Sequence, residues 1–274
     1  MSAVVGVVAM AAGAHAQTTP LFDATFPASW NGTGTTVTDQ SSAGNTGFQS
    51  GTATYTTATV PPGAAGGTGS MSLSGAGGIK VTPDALLNNT AIANAGGFTY
   101  NIDFLWNGTA SSTQKLIDYA GTESLQLTSL VAGTSATLGM AFGGDTGTAP
   151  DADVVTTTIL ANTWYDVELT FNTGGNSLVA GDISGTADLY VDGGLVSSAA
   201  ATKGTYGDSL DRPIAIGELA YGHTTSILGL TGDIYSASVD LGVAPVPEPS
   251  SLALGLVGGL GTVGMIWQGR RRKT

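Results

Sequence analysis

Side chains able to do chemistry are sparse in this chain, and their types exclude most kinds of catalysis. Cysteine is absent, which removes thiol nucleophiles, thiolate metal sites and disulfides together. Histidine occurs only as His15, in an N-terminal apolar stretch, and His223, within Tyr221-Gly222-His223-Thr224, which reads as a loop. A Ser-His-Asp device needs three groups brought together, and no Gly-x-Ser-x-Gly elbow is present. Glycoside hydrolysis needs two carboxylates flanking the bond. Between residues 17 and 242 glutamate occurs only at Glu123, Glu168 and Glu218, far apart in sequence. Asp166 and Glu168 project from one face of an alternating segment, and their ordinary reading is a solvated outer face. No residue is assigned a catalytic role.

Two binding chemistries are better supplied. Calcium takes carboxylate and carbonyl oxygens from loops. Asp145, Asp151 and Asp153 surround a Gly/Pro-rich loop and Asp39 lies in an early polar loop, so these four are the candidate calcium ligands. No EF-hand spacing accompanies them, and no other cofactor is indicated. Sugars are held by aromatic rings stacked on their apolar faces, with amides and carboxylates on the hydroxyls. Trp30, Trp106 and Tyr221, each beside a turn, are the candidate glycan contacts.

Charge narrows the partners. The net charge is −12, and the loss of the four cations at Arg270, Arg271, Arg272 and Lys273 would take it to −16. Lys80, Lys115, Lys203 and Arg212 are the remaining cations. Binding a phosphate backbone needs clustered cations, so nucleic acid is excluded as a partner.

These cations close a three-part terminus. Pro247-Glu248-Pro249 stands before an apolar run, Leu252 to Trp267, which ends against the basic cluster. A helix rising about 1.5 Å per residue needs about 17–25 such residues to span a bilayer, and the flanking cations belong on the cytoplasmic side. The pattern resembles the PEP-CTERM sorting signal of bacterial exported proteins. That resemblance implies an exosortase-type membrane protease as partner, acting near Pro247-Glu248-Pro249, and a membrane-anchored precursor destined for the cell surface or exterior. At the other end, Val4 to Ala12 is apolar and Ala14-His15-Ala16 is a small-x-small site of the kind cut by signal peptidase. No cation precedes it, so the expected start of the signal lies upstream. The expected organisation is a signal peptide at 1–16, a domain at 17–242, a Pro-rich linker at 243–249, and a transmembrane helix with basic tail at 250–274.

The elements that must position any site are strands. Phe98, Tyr100, Ile102, Phe104 and Trp106 alternate with Thr99, Asn101, Asp103 and Leu105, the period of a half-buried strand. Similar segments are expected at Gln114–Tyr119, Ser124–Leu130, Ala136–Phe142, Val154–Leu160, Trp164–Phe171, Ala187–Val191, Leu195–Ala199, Ile214–Ile216 and Gly232–Leu241. Asp192-Gly193 is a strong hairpin signal, because its turn needs positive φ twice. Before residue 83 the pattern is weaker, with short strands expected at Thr36–Thr38 and Ala53–Tyr55. A hairpin is expected from Met71–Leu73 to Ile79–Thr82 around Gly75-Ala76-Gly77-Gly78. Residues 84–95 predict one or two helical turns.

Many short strands separated by turn residues point to an all-β, antiparallel two-sheet sandwich. Four stretches resemble the laminin-G-like and concanavalin A-like jelly rolls: Thr38–Asn45, Phe98–Trp106, Thr163–Phe171, and Leu189–Gly193 with its following segments at Ile214–Gly217 and Leu230–Ile234. Asp166 stands where that family often has histidine, and the first loop is longer by one or two residues. The resemblance implies a non-catalytic domain that binds or organises extracellular polysaccharide. A polysaccharide hydrolase or lyase on the same fold is the alternative, although the acid cluster expected of that branch is missing. A purely structural surface protein is the third possibility.

Overall fold

Strands form wherever the apolar and polar residues alternate, and the order in which they pair turns that local pattern into two packed layers. The computed structural model describes residues 18–64, 68–83, 86–109, 112–119, 123–142, 153–204, 213–220 and 227–243. In chain order the elements are β1 (Thr19–Thr25), β2 (Thr36–Thr38), β3 (Thr46–Thr56), β4 (Ser70–Thr82), α1 (Asn89–Ala95), β5 (Gly97–Trp106), β6 (Thr113–Tyr119) and β7 (Glu123–Val131). They continue with β8 (Ser135–Phe142), β9 (Asp153–Leu160), β10 (Trp164–Asn172), β11 (Ile183–Val191), β12 (Gly194–Lys203), β13 (Ile214–Ile216), β14 (Ile227–Gly229) and β15 (Thr231–Leu241).

The hydrogen-bonded order is β12-β11-β10-β5-β15-β4-β13-β6-β7-β8-β9, with β1 beside β15 and β2-β3 beside β4. The first five strands of this order form one layer and the last six the other, so the sandwich is a single continuous ladder folded over on itself. Pairing is antiparallel except between β14 and β6, which run parallel. The core lies between the layers. Phe98, Tyr100, Ile102, Phe104 and Trp106 on β5 are each at most 1% exposed. Phe171 of β10 packs between Phe98 and Phe142, with ring centroids 5.5 and 5.0 Å apart. Burying each such side chain contributes about 1.5–3 kcal/mol, which is how a domain without disulfides holds together. One ion pair lies inside as well: Lys203 Nζ is 3.4 Å from Glu123 Oε1 and 5.6 Å above the Tyr119 ring.

The expected hairpin across 71–82 is corrected by the structure. β4 is one strand of thirteen residues. Along one edge it pairs with β3, with a bulge where Gly51 faces Gly77 and Ala53 faces Leu73; along the other it pairs first with β15 and then with β13, which is how the chain passes between layers. The glycines there are needed for close approach. A Cβ on Gly77 would come within 2.6 Å of the Ser50 carbonyl oxygen, and one on Gly78 would overlap the Ile216 carbonyl oxygen. Three further strands escape the sequence pattern: β1, β14, and the first half of β3, whose Thr, Ser and Gly residues carry little alternation. The helix has the expected two turns, at Asn89–Ala95. Asn88 caps it by accepting from Ala91 N, and Gly96 ends it in the left-handed conformation.

The chain divides into two units, Met1–Ala244 and Pro245–Thr274. Among the described residues no helix is long and apolar enough to cross a membrane. The expected anchor at 250–274, Pro247-Glu248-Pro249, Arg270–Lys273 and the cleavage site at Ala14 and Ala16 all lie outside the described residues.

Candidate functional site

The outward face of the first layer is built by the residues that alternate with the core. On β5 these are Thr99, Asn101 and Asp103; on β10, Asp166, Glu168, Thr170 and Asn172; on β11, Ser184, Thr186, Asp188 and Tyr190. The register aligns them in rows. Asp166 stands opposite Asp103, Glu168 lies between Asn101 and Tyr190, and Thr170 lies between Thr99 and Asp188. β15 and β1 extend the rows with Ser236, Ser238, Asp240 and Asp23.

At one end of this face a groove of about 700 Å³ opens between the β10–β11 connection and β12. Its polar lining comes from Asn172, Asn176, Ser184, Thr186, Asp188 and Thr202. Asn172 Oδ1 accepts from Gly174 N at 2.8 Å, Asn176 Nδ2 donates to Ser184 O at 3.0 Å, and the Ser184 and Thr202 hydroxyls are 2.9 Å apart. The amide groups are therefore held in place by their own loop. Thr173, also in the lining, is fully buried and its hydroxyl has no hydrogen-bond partner. An unpaired buried polar atom costs about 1–3 kcal/mol, so its presence beside a groove marks a place where a ligand group would be welcome.

The electrostatics of the face are one-sided. Burial, then the nearby Asp103 and Asp192 carboxylates, raise the Asp166 pKa above its ordinary value. Burial, then Asp166, raise that of Glu168, and one Glu168 carboxylate oxygen is buried without a hydrogen-bond partner. Tyr190 is raised by burial and by the charges of Asp188 and Glu168. Asp240 is raised by burial, with Ser238 opposing and Asp23 adding to the shift, and Asp23 by burial and then Asp39. Asp103 accepts from Ser236 Oγ at 2.6 Å, Asp192 Oδ1 from Asp166 N at 3.1 Å and Asp240 Oδ2 from Ser238 Oγ at 3.4 Å. Such an arrangement can grip hydroxyls and amines, and it repels anions.

The residues expected to contact sugar are elsewhere. Trp30 is 5% exposed and donates to Gly34 O at 3.1 Å; Trp106 is fully buried and donates to Thr109 O at 3.2 Å. Both indoles are core, Trp106 at the end of the inward row of β5 and Trp30 in the β1–β2 connection, so neither is a stacking platform. Tyr221 lies outside the described residues. Of the four candidate calcium ligands, two lie among the described residues. Asp39 accepts from Asp23 N, Ser41 N, Ser41 Oγ and Asn45 N at 2.8–3.0 Å, which pins its loop onto β1. Asp153 on β9 accepts from Gln126 Nε2 and Thr128 Oγ1 of β7, within the second layer. Both carboxylates are engaged by protein donors, Asp39 by four and Asp153 by two. Asp145 and Asp151 lie outside the described residues, and among the described residues no three acidic or histidine side chains could hold a metal ion. Asp166 and Glu168 do lie on the outer face, as their alternation indicates, Asp166 exposed and Glu168 partly buried, both beside other acids. Asn172, Asn176, Ser184, Thr186 and Thr202 carry no motif; only the alternation along β10 and β11 placed some of them outward.

No protein-family model matches the chain, and no curated protein does. Among solved structures it is similar to domain 4 of AbnA, a GH43 extracellular arabinanase from Geobacillus stearothermophilus in complex with arabinotriose. The TM-score is 0.52 at 12% identity, over 83% of this chain and 95% of that one. Weaker likenesses join it to the binding domain of botulinum neurotoxin DC in complex with SialylT (TM-score 0.47, 12% identity, 82% of this chain and 48% of that one) and to the CBM40 of a Ruminococcus gnavus IT-sialidase (TM-score 0.35, 13% identity, 57% and 82%). At these identities the arabinanase domain speaks for the fold alone: an almost entirely antiparallel, jelly-roll-like β-sandwich.

Proposed function

We propose that residues 17–242 form a non-catalytic glycan-binding domain of an exported cell-envelope or extracellular-matrix protein. The groove carries this reading, because Asn172, Asn176, Ser184, Thr186, Asp188 and Thr202 offer a sugar the mixture of amide, hydroxyl and carboxylate partners its hydroxyls require. The arabinanase domain of similar fold, captured with arabinotriose, supports it, and the order of local patterns supports a laminin-G-like or concanavalin A-like topology. Calorimetric titration with a panel of oligosaccharides tests it. Asp188→Ala and Asn176→Ala are expected to weaken the best ligand about tenfold each, about 1.4 kcal/mol, with Tm unchanged. Ligand binding that is indifferent to both substitutions would move the site elsewhere.

A hydrolase remains the second reading because Asp103 and Asp166 stand directly opposite each other across β5 and β10. Cross-strand partners have Cβ atoms about 4.5–5.5 Å apart, so the two carboxyl groups share one patch of the face, as paired glycosidase acids must. Release of reducing ends from a bound polysaccharide, abolished by Asp166→Asn, would replace binding with catalysis.

The tail supplies the address. An exosortase-type protease is proposed to act near Pro247-Glu248-Pro249 after the apolar segment enters the membrane, delivering the domain to the surface. Mass spectrometry of the mature C-terminus is expected to lack Arg270–Lys273, and an intact end would contradict processing.

A further inference from the structure

The groove adjoins a sheet face that carries charge of one sign. β1, β5, β10, β11 and β15 contain no Lys or Arg at all. From them Asp23, Asp103, Asp166, Glu168, Asp188 and Asp240 all point outward, with Asp192 at the turn after β11. Lys203 on β12 is fully buried and offers the face nothing. Same-face residues repeat about 6.8 Å along a strand and about 4.8 Å between strands, so the carboxylates are spread over the sheet. A metal ion instead needs its oxygens within about 2.3–2.6 Å, and no three of the described acids meet that demand. The dispersed array suits a ligand whose positive charges are themselves spaced along a chain.

Two orphaned acceptors sharpen this. One carboxylate oxygen of Glu168 and the Thr173 hydroxyl are buried without hydrogen-bond partners, the first on the acidic rows and the second in the groove. A protonated amine has three donors and no acceptor, so it satisfies a carboxylate oxygen while cancelling the repulsion between Glu168 and Asp166. A uronate or sulfated polymer would add to that repulsion, and a neutral polymer would leave it in place. We infer that the groove and the acidic rows beside it take a cationic, amino-bearing glycan, a polymer of hexosamine with free amines. The inference rests on the glycan-binding reading above and adds the charge class of the ligand.

The test titrates the full chain with a glucosamine hexasaccharide, its fully N-acetylated counterpart, a neutral hexose hexasaccharide and hexalysine. The amino sugar is expected to bind at least tenfold tighter than the other three and to weaken steadily as NaCl is added. Glu168→Gln and Asp166→Asn are expected to remove most of that preference while leaving Tm unchanged or higher. Equal or tighter binding of the N-acetylated or neutral oligomer overturns the charge assignment and leaves the glycan-binding domain standing. Hexalysine binding as well as the amino sugar overturns it in favour of a basic peptide. If none of the three sugars binds, both readings fall.

Discussion

Trp106 shows how far a residue's type can mislead about its role. An indole beside a turn is a natural sugar platform, yet here the ring closes the inward row of β5 and its N–H is satisfied by Thr109 O. Trp106→Ala is therefore expected to destabilise the domain by about 3–5 kcal/mol, the usual cost of emptying a large buried site, measured by chemical denaturation. A variant that instead lost only ligand affinity would return the indole to the binding surface. Asp39 teaches the same lesson with charge. Its carboxylate looks like a loop ligand for calcium, but four protein donors occupy it, so its work is to hold the 39–45 loop against β1.

At the scale of elements, β4 decides the architecture. Local chemistry reads Gly75-Ala76-Gly77-Gly78 as a turn, because glycine is what turns need. The strand continues instead, since β3 and β13 press so close that no side chain fits. Gly78→Val is expected to cost more than about 3 kcal/mol, in the range of a steric clash in a core, and to expose β13 amides to hydrogen exchange before those of β5. Uniform protection loss would refute that local effect. The β11–β12 turn obeys its sequence signal in full: Asp192 and Gly193 have φ of 51° and 74°. Gly193→Ala there costs only about 1–2 kcal/mol.

Over the whole molecule, the acidic face makes stability depend on pH and salt. Folding raises the pKa of Asp23, Asp166, Glu168 and Asp240, in each case chiefly by burial. The folded state therefore binds protons more tightly than the unfolded one. That contribution is complete below the ordinary carboxylate range, near about 4, and is lost as pH rises through the raised values. Mild acidification from neutrality is expected to raise Tm, added NaCl at neutral pH to do the same by screening, and Asp166→Asn to flatten both responses. A scanning calorimetry series in which Tm falls on leaving pH 7 for pH 5 would contradict this account.

Period-2 alternation is a property of neighbouring residues, so ten of the strands, their inward faces and the all-β class could be read directly from Phe98 onward. The outward position of Asp166 and Glu168 was legible for the same reason, as were the Asp192-Gly193 turn and the lack of clustered cations. Pairing is not local. Which strand lies beside which depends on contacts between segments tens of residues apart, and only that register sets Asp103 against Asp166 and opens a groove between Asn176 and Thr202. Burial of Trp30 and Trp106, the hydrogen bonds that engage Asp39 and Asp153, and the passage of β4 between layers were likewise settled by what packs around each residue once the chain is folded.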